Sequence, residues 1–157
     1  MHRAYIGYGS NLGNRERNIH AALSFLSAYA IIVKNSSFYE TEPVDCPFGG
    51  PFLNGAVQIM PHREPIEILE VLQEIELKLG RTRGVKNCPR TIDLDLLFYD
   101  HQIINKRELI LPHPRLHERI FVLEPLNEIA PVFVHPFLKK TIRELLEEVK
   151  NGQIYQK

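Results

Sequence analysis

Between Arg81 and Asp95 the chain concentrates most of its candidate chemistry. Arg81, Arg83, Lys86 and Arg90 supply four positive charges with no acid among them, and Asp93 and Asp95 follow directly. Ile92, Leu94, Leu96 and Phe98 alternate with Asp93, Asp95, Leu97 and Tyr99, the period-two pattern of a strand with one apolar face. Residues i and i+2 on a strand share a side, so the two carboxylates stand ~6–7 Å apart at the backbone while Leu94 turns to the core. Such a pair is half a site for a hard cation. Magnesium suits it, since that ion takes oxygen ligands, keeps several waters, and is typically held by one or two carboxylates together with substrate phosphates. The alternative is a solvated strand face bearing two ordinary surface acids.

The basic run bears on that choice. Carboxylates beside a polyphosphate repel it by roughly 3 kcal/mol per charge pair at ~5 Å and an effective dielectric of ~20, so only interposed cations make the arrangement useful. A basic run alone also suits a solvated loop, but its three arginines favour bidentate phosphate recognition over mere solubility. Phosphoryl transfer needs positioning, metal bridging of phosphate oxygens and cations over the developing charge, and this segment supplies those parts.

Other candidates are weaker. There is no G-x-x-x-x-G-K-[ST] loop, and Gly7-Tyr8-Gly9-Ser10-Asn11-Leu12-Gly13 places its third glycine one position late for a dinucleotide fingerprint. Those glycines are read as a strand-to-helix turn. His113, set between Pro112 and Pro114, and His117 have helical metal-ligand spacing, but no third ligand is evident. Asn54 interrupts the apolar run Phe52-Leu53-Asn54-Gly55-Ala56-Val57, which is costly unless its amide is paired.

The elements that must carry these residues follow from periodicity and punctuation. Arg3 to Gly9 reads as a strand, and Ile19, Leu23 and Leu26 as a helix. Ile31 to Thr41 and Phe52 to Met60 read as two strands around a Pro- and Gly-rich loop. Pro65 suits a first helical turn, Ile68, Leu72, Ile75 and Leu79 give one apolar face, and Gly80 suits a left-handed stop. After the Asp93–Asp95 strand come a short hairpin through Asp100 and helices over Arg115 to Leu123 and Thr141 to Val149. The order β-α-β-β-α-β predicts an α+β, ferredoxin-like antiparallel sheet with helices on one face, the other left to loops or ligand, and extra C-terminal elements.

The chain has 157 residues, the length of one domain, taken as 1–157, and 44% hydrophobic residues suffice for a core. Nineteen basic residues balance nineteen acidic ones, so no whole-molecule field draws it to nucleic acid or an anionic membrane. Met1-His2-Arg3-Ala4-Tyr5 opens without a signal-peptide apolar region, and no apolar stretch nears the ~20 residues of a membrane span. A soluble, cytoplasmic protein is expected. Cys46 and Cys88 lack CxxC spacing and are read as free thiols.

Read together, the motifs resemble the 6-hydroxymethyl-7,8-dihydropterin pyrophosphokinases of folate biosynthesis. The likeness runs in order through Gly9-Ser10-Asn11-Leu12-Gly13, Ser37-Phe38-Tyr39-Glu40-Thr41, Phe52-Leu53-Asn54, Glu76 with Gly80-Arg81, Pro89-Arg90-Thr91-Ile92-Asp93-Leu94-Asp95, and Leu111-Pro112-His113-Pro114 with Glu118-Arg119. The resemblance implies transfer of the β,γ-diphosphate of ATP to the pterin hydroxymethyl group, releasing AMP, with two magnesium ions on Asp93 and Asp95. It assigns Arg81, Arg83 and Arg90 to phosphate, and Gln73, Glu76, Leu96, His113 and Arg119 to the nucleotide. It sets the pterin between Phe52 and Phe121, with Asn54 answering its amide edge and Thr41, Glu42, Pro43 and Val44 at its border. Arg81, Arg90 and Asp95 are the expected catalytic residues, Asp95 as acceptor of the hydroxyl proton. Both substrates are small molecules, and a monomer is expected.

Three departures from the family pattern stand out: Cys88 replaces the small residue usual before the Pro-Arg pair, no tryptophan is present, and Pro114 stands where some members have a tyrosine. Two rival classes remain. Nucleotidyl transfer also uses Gly-Ser and Asp-x-Asp elements, but here over 80 residues separate them. An RNA-binding sheet of the same fold lacks its aromatic strand motif here.

Overall fold

Seven strands and four α-helices follow in the order β1 (Ala4–Ser10), α1 (Arg15–Leu26), β2 (Ala30–Asn35), β3 (Tyr39–Thr41), β4 (Phe52–Pro61), α2 (Pro65–Lys78), β5 (Asp93–Tyr99), β6 (Ile104–Asn105), β7 (Ile110–Leu111), α3 (Ile120–Ile129) and α4 (Ile142–Tyr155) among the described residues. The computed structural model describes residues 1–42, 50–80 and 91–155. Arg81, Arg83, Lys86, Cys88 and Arg90 lie outside them, as do Pro43, Val44 and Cys46.

The main sheet has the order β2-β4-β1-β5, with β3 also on β4, and every pairing is antiparallel. Each β-α-β unit therefore spans one intervening strand, as the α+β reading expects. The single strand expected over Ile31 to Thr41 is divided. Ser36 breaks it, its N–H donating to the Ala56 carbonyl and its hydroxyl accepting from the Ala56 N–H, both at 2.9 Å, so the next residues re-enter as β3.

Local rules account for the helices. Asn14 accepts from the Arg17 N–H to cap α1, after Gly13 has turned the chain at φ +70°. At α2 Glu64 and Glu67 form a capping box, Pro65 opens the first turn, and Gly80 follows the end at φ +90°. Thr141 and Glu144 cap α4 reciprocally. The helix expected over Arg115 to Leu123 is instead a 3-10 turn at Leu116–Glu118 followed by α3, which runs through Pro125. A proline at that depth removes one main-chain donor, and burial of Leu123, Leu126 and Ile129 compensates.

Helices cover both faces, which corrects the one-sided arrangement expected from sequence. One core joins Ala4, Ile6 and Tyr8 of β1 and Leu94 and Leu96 of β5 to Ile19, Leu23 and Leu26 of α1 and Ile68, Leu72 and Ile75 of α2. The second joins Tyr5, Leu97 and Phe98 to Leu123, Leu126, Ile142 and Leu145 of α3 and α4. Leu97 and Phe98 share that side because the β1–β5 register shifts: Tyr5 faces Phe98 but Ile6 faces Leu96. Leu97 is the extra residue of a β-bulge, so Tyr99 turns into the first core and Phe98 into the second, opposite to the regular alternation expected.

Candidate active site

Asp93 and Asp95 lie on the α3/α4 side of the sheet, since the intervening Leu94 is in the opposite core. Their partners on β1 are Gly9 and Gly7, and the partners of those glycines on β4 are Asn54 and Ala56. Two rows thus cross the sheet, Asn54-Gly9-Asp93 and Ala56-Gly7-Asp95. The middle of both rows carries no side chain. Only Gly13 of the expected glycine turn is in a turn; Gly7 and Gly9 are inside β1 and form a floor. A Cβ on Gly9 would stand 2.7 Å from Asn54 Oδ1 and 3.5 Å from Phe52 Cδ1, so Phe52 and Asn54 border the same space.

Asn54 is buried, and its Nδ2 donates to Thr41 Oγ1 at 2.6 Å across the β3–β4 ladder, where Thr41 pairs with Phe52. This pairing answers the cost of a polar residue in an apolar strand. Glu42 follows β3 and is exposed. Phe121, half-buried, lies in the first turn of α3 with the Arg119 guanidinium 5.8 Å from its ring centre.

The edge of β5 is closed by two other elements. Glu76, buried on α2, accepts from the Leu94 N–H at 2.8 Å, at the peptide between the two aspartates. The His113 N–H donates to the Leu97 carbonyl at 3.0 Å. His113 Nδ1 faces the Arg115 N–H at 3.5 Å, which places the ring proton on Nε2, 4.0 Å from Asp95 Oδ1. Burial, with the charges of Arg119 and Arg115 outweighing the opposing pull of Asp93, holds the His113 pKa below its ordinary value. Gln73 is exposed one turn before Glu76. The Leu96 side chain points into the first core, away from Asp93 and Asp95.

The donor set fits magnesium. Two half-exposed carboxylates offer hard oxygens over an open floor, and among the described residues no three His, Cys, Asp or Glu side chains converge to hold a metal alone. A cation there would share its remaining coordination with water or phosphate.

The sequence profile of the 7,8-dihydro-6-hydroxymethylpterin-pyrophosphokinase family matches residues 5–131. The chain belongs to that family. A 2-amino-4-hydroxy-6-hydroxymethyldihydropteridine pyrophosphokinase of Bacillus subtilis is 48% identical over 129 residues, covering 81% of this chain and 77% of the relative. A folic acid synthesis protein of Pneumocystis carinii is 40% identical over 151 residues, covering 96% of this chain but 20% of that protein. The crystal structure of Plasmodium falciparum HPPK-DHPS matches 99% of this chain and 46% of its own, with TM-score 0.80 at 17% identity, a likeness of fold. Of the quoted family elements, Gly9, Asn54, Asp93 and Asp95 lie on the two rows, and Glu76 and His113 are bonded to the main chain of β5.

Sequence reasoning missed the pairing of Gly7 and Gly9 with the aspartates, for which glycine at alternate strand positions was the available signal.

Proposed function

We propose that residues 1–157 act as one monomeric domain that transfers the β,γ-diphosphate of ATP to the hydroxymethyl group of 6-hydroxymethyl-7,8-dihydropterin and releases AMP. The observation that carries this reading is the row Asn54-Gly9-Asp93, which joins a hydrogen-bonding amide to a cation-binding acid across a floor with no side chain. A flat heterocycle over Gly9 would have Phe52 to stack on and Asn54 to bond its amide edge, its hydroxymethyl directed to the acids.

Asp93 and Asp95 would hold magnesium, which supplies charge neutralisation on the triphosphate. Arg81, Arg83 and Arg90 are assigned to the phosphates and to the charge that develops as the bond between the α- and β-phosphorus groups breaks. The pterin oxygen bonds to the β-phosphorus, AMP departs, and the Asp95 carboxylate accepts the hydroxyl proton. Gln73, Glu76, His113 and Arg119, with the main chain of Leu96, flank the nucleotide along the β5 edge, and Thr41, Glu42, Pro43, Val44 and Phe121 border the pterin. The substrates are small molecules, with no nucleic acid or membrane involved, and the cytoplasm is the proposed compartment. No helix among the described residues is long and apolar enough to cross a membrane.

The test is incubation with ATP, magnesium and the dihydropterin. AMP and pterin diphosphate are expected in equal amounts; free pyrophosphate with a nucleotidylated pterin would establish nucleotidyl transfer instead.

A further inference from the structure

We propose that Glu128 is a positioning residue for the pterin: its carboxylate fixes the spacing between α3, which carries Phe121, and the β3–β4 ladder, which carries Thr41, Phe52 and Asn54. This deepens the proposed reaction and rests on it for the identity of the ligand.

Glu128 takes three donors. Its Oε2 accepts from the Ser37 N–H at 2.9 Å and from the Ser37 hydroxyl at 3.1 Å, and its Oε1 accepts from the Tyr39 hydroxyl at 2.7 Å. An isolated exposed acid contributes almost nothing to structure, whereas a carboxylate with three converging donors acts as a directed anchor. The hydrogen bond to Glu128, with burial and the Glu128 and Glu124 charges adding to it, pushes the Tyr39 hydroxyl up to about 12, so it stays a donor.

Both ends of the anchor are themselves fixed. Ser37 adjoins Ser36, whose hydrogen bonds to Ala56 fasten the β2–β3 break to β4. Tyr39 pairs with Asn54, and Thr41, two residues on, holds the Asn54 amide. On α3, Phe121 and Glu128 are seven positions apart, so they share one side of the helix about 10 Å from each other. Leu123, Leu126 and Ile129 bury another side in the core. Packing of those apolar residues holds α3 against the sheet, and the bonds at Glu128 add a directional tie from its outer side to the β2–β3 break and β3. On the proposed reading, in which the pterin lies between Phe121 and Phe52, Glu128 ties the two flanking elements together about two turns along α3 from Phe121.

Direct binding tests this. Affinity for 6-hydroxymethyl-7,8-dihydropterin is measured with magnesium and a saturating nonhydrolysable ATP analogue, and affinity for the analogue is measured separately. Glu128→Ala is expected to weaken pterin binding by about tenfold, the loss of hydrogen bonds to a charged group, with the analogue's affinity unchanged within about twofold. Tyr39→Phe, which keeps the ring and removes one donor, is expected to weaken pterin binding by about threefold, and Glu128→Asp to restore part of the loss. Unchanged pterin affinity in folded Glu128→Ala or in Tyr39→Phe overturns the role, as does an equal fall for both ligands. The two readings fail separately, because absence of AMP release by the wild-type protein overturns the reaction and not the binding split.

Discussion

Glu76 Oε2 stands 2.8 Å from the main-chain nitrogen of Leu94, so a buried acid from α2 grips the peptide that separates Asp93 from Asp95. Direct contact with a ligand is not required for this residue to matter. Glu76→Ala leaves that buried N–H without this acceptor, which costs about 1–3 kcal/mol, and it loosens the segment bearing both aspartates. Urea unfolding should show the loss, and AMP release should fall by at least about tenfold. Glu76→Gln keeps an acceptor oxygen and should retain most of the stability. Wild-type turnover in Glu76→Ala would show that the grip is irrelevant to the chemistry.

Gly9 and Gly55 differ in what an added methyl would meet. An alanine Cβ at Gly9 meets Asn54 Oδ1, a side-chain end that can rotate at the expense of its bond to Thr41. Gly9→Ala should cost about 1–3 kcal/mol through that lost bond and raise the pterin KM by about tenfold or more. At Gly55 the new Cβ falls 2.3–2.5 Å from the Tyr8 ring and hydroxyl, which are buried and bonded to Asn35. Gly55→Ala should therefore cost about 1–3 kcal/mol by overpacking. Thermal unfolding of the pair, set beside their kinetics, checks the contrast.

Asp95→Asn should lower turnover by about a hundredfold or more while the pterin dissociation constant changes little. Single-turnover AMP formation reads the chemical step directly, and unchanged turnover counts against Asp95 as proton acceptor. Arg90→Ala should slow the same step; a change confined to ATP affinity contradicts its charge-stabilising role.

His135 predicts how stability depends on pH. The ring is buried, and its Nδ1 accepts from the Phe137 and Leu138 N–H groups, so a proton there would face two donors. Burial, aided by His117, pushes its pKa down from 6.5 to about 4. Above pH 6.5 the ring is neutral in both states; below it the unfolded chain takes a proton that the native state refuses. The His135 contribution should fall between pH 6.5 and 4 by no more than about 3 kcal/mol and level off below, while the carboxylates of Asp100, Glu128 and Glu144, held below their ordinary values, add a further loss at lower pH. Urea midpoints across that range, with the His135 ring signal followed by NMR, give the check; a midpoint flat over that interval contradicts the assignment.

The element order was legible because each element carries a strong local pattern. The alternation of Asp93 to Leu96 and the spacing of Ile68, Leu72 and Ile75 recur in the structure as read. The bulge at Leu97 was not, because Leu97, Phe98 and Tyr99 are all large and apolar enough for either core, and composition does not mark which one is doubled. Pro125 hid the length of α3, since a proline inside an apolar run reads as a stop. At the site, the aspartates announced themselves by charge and spacing. Glu128 did not, because an acid on a helix resembles any solvated face until residues ninety positions earlier are folded against it.

The doubled residue at Leu97 has a further consequence. Upstream of it, Asp93 and Asp95 look to the α3/α4 side of the sheet; downstream, the phase slips and an aromatic pair is shared between the two halves of the interior. One strand thereby presents two acids at one end and seats a ring in each core at the other. Removing or adding a single residue anywhere between Asp95 and Tyr99 would force a choice between seating the rings and aiming the acids.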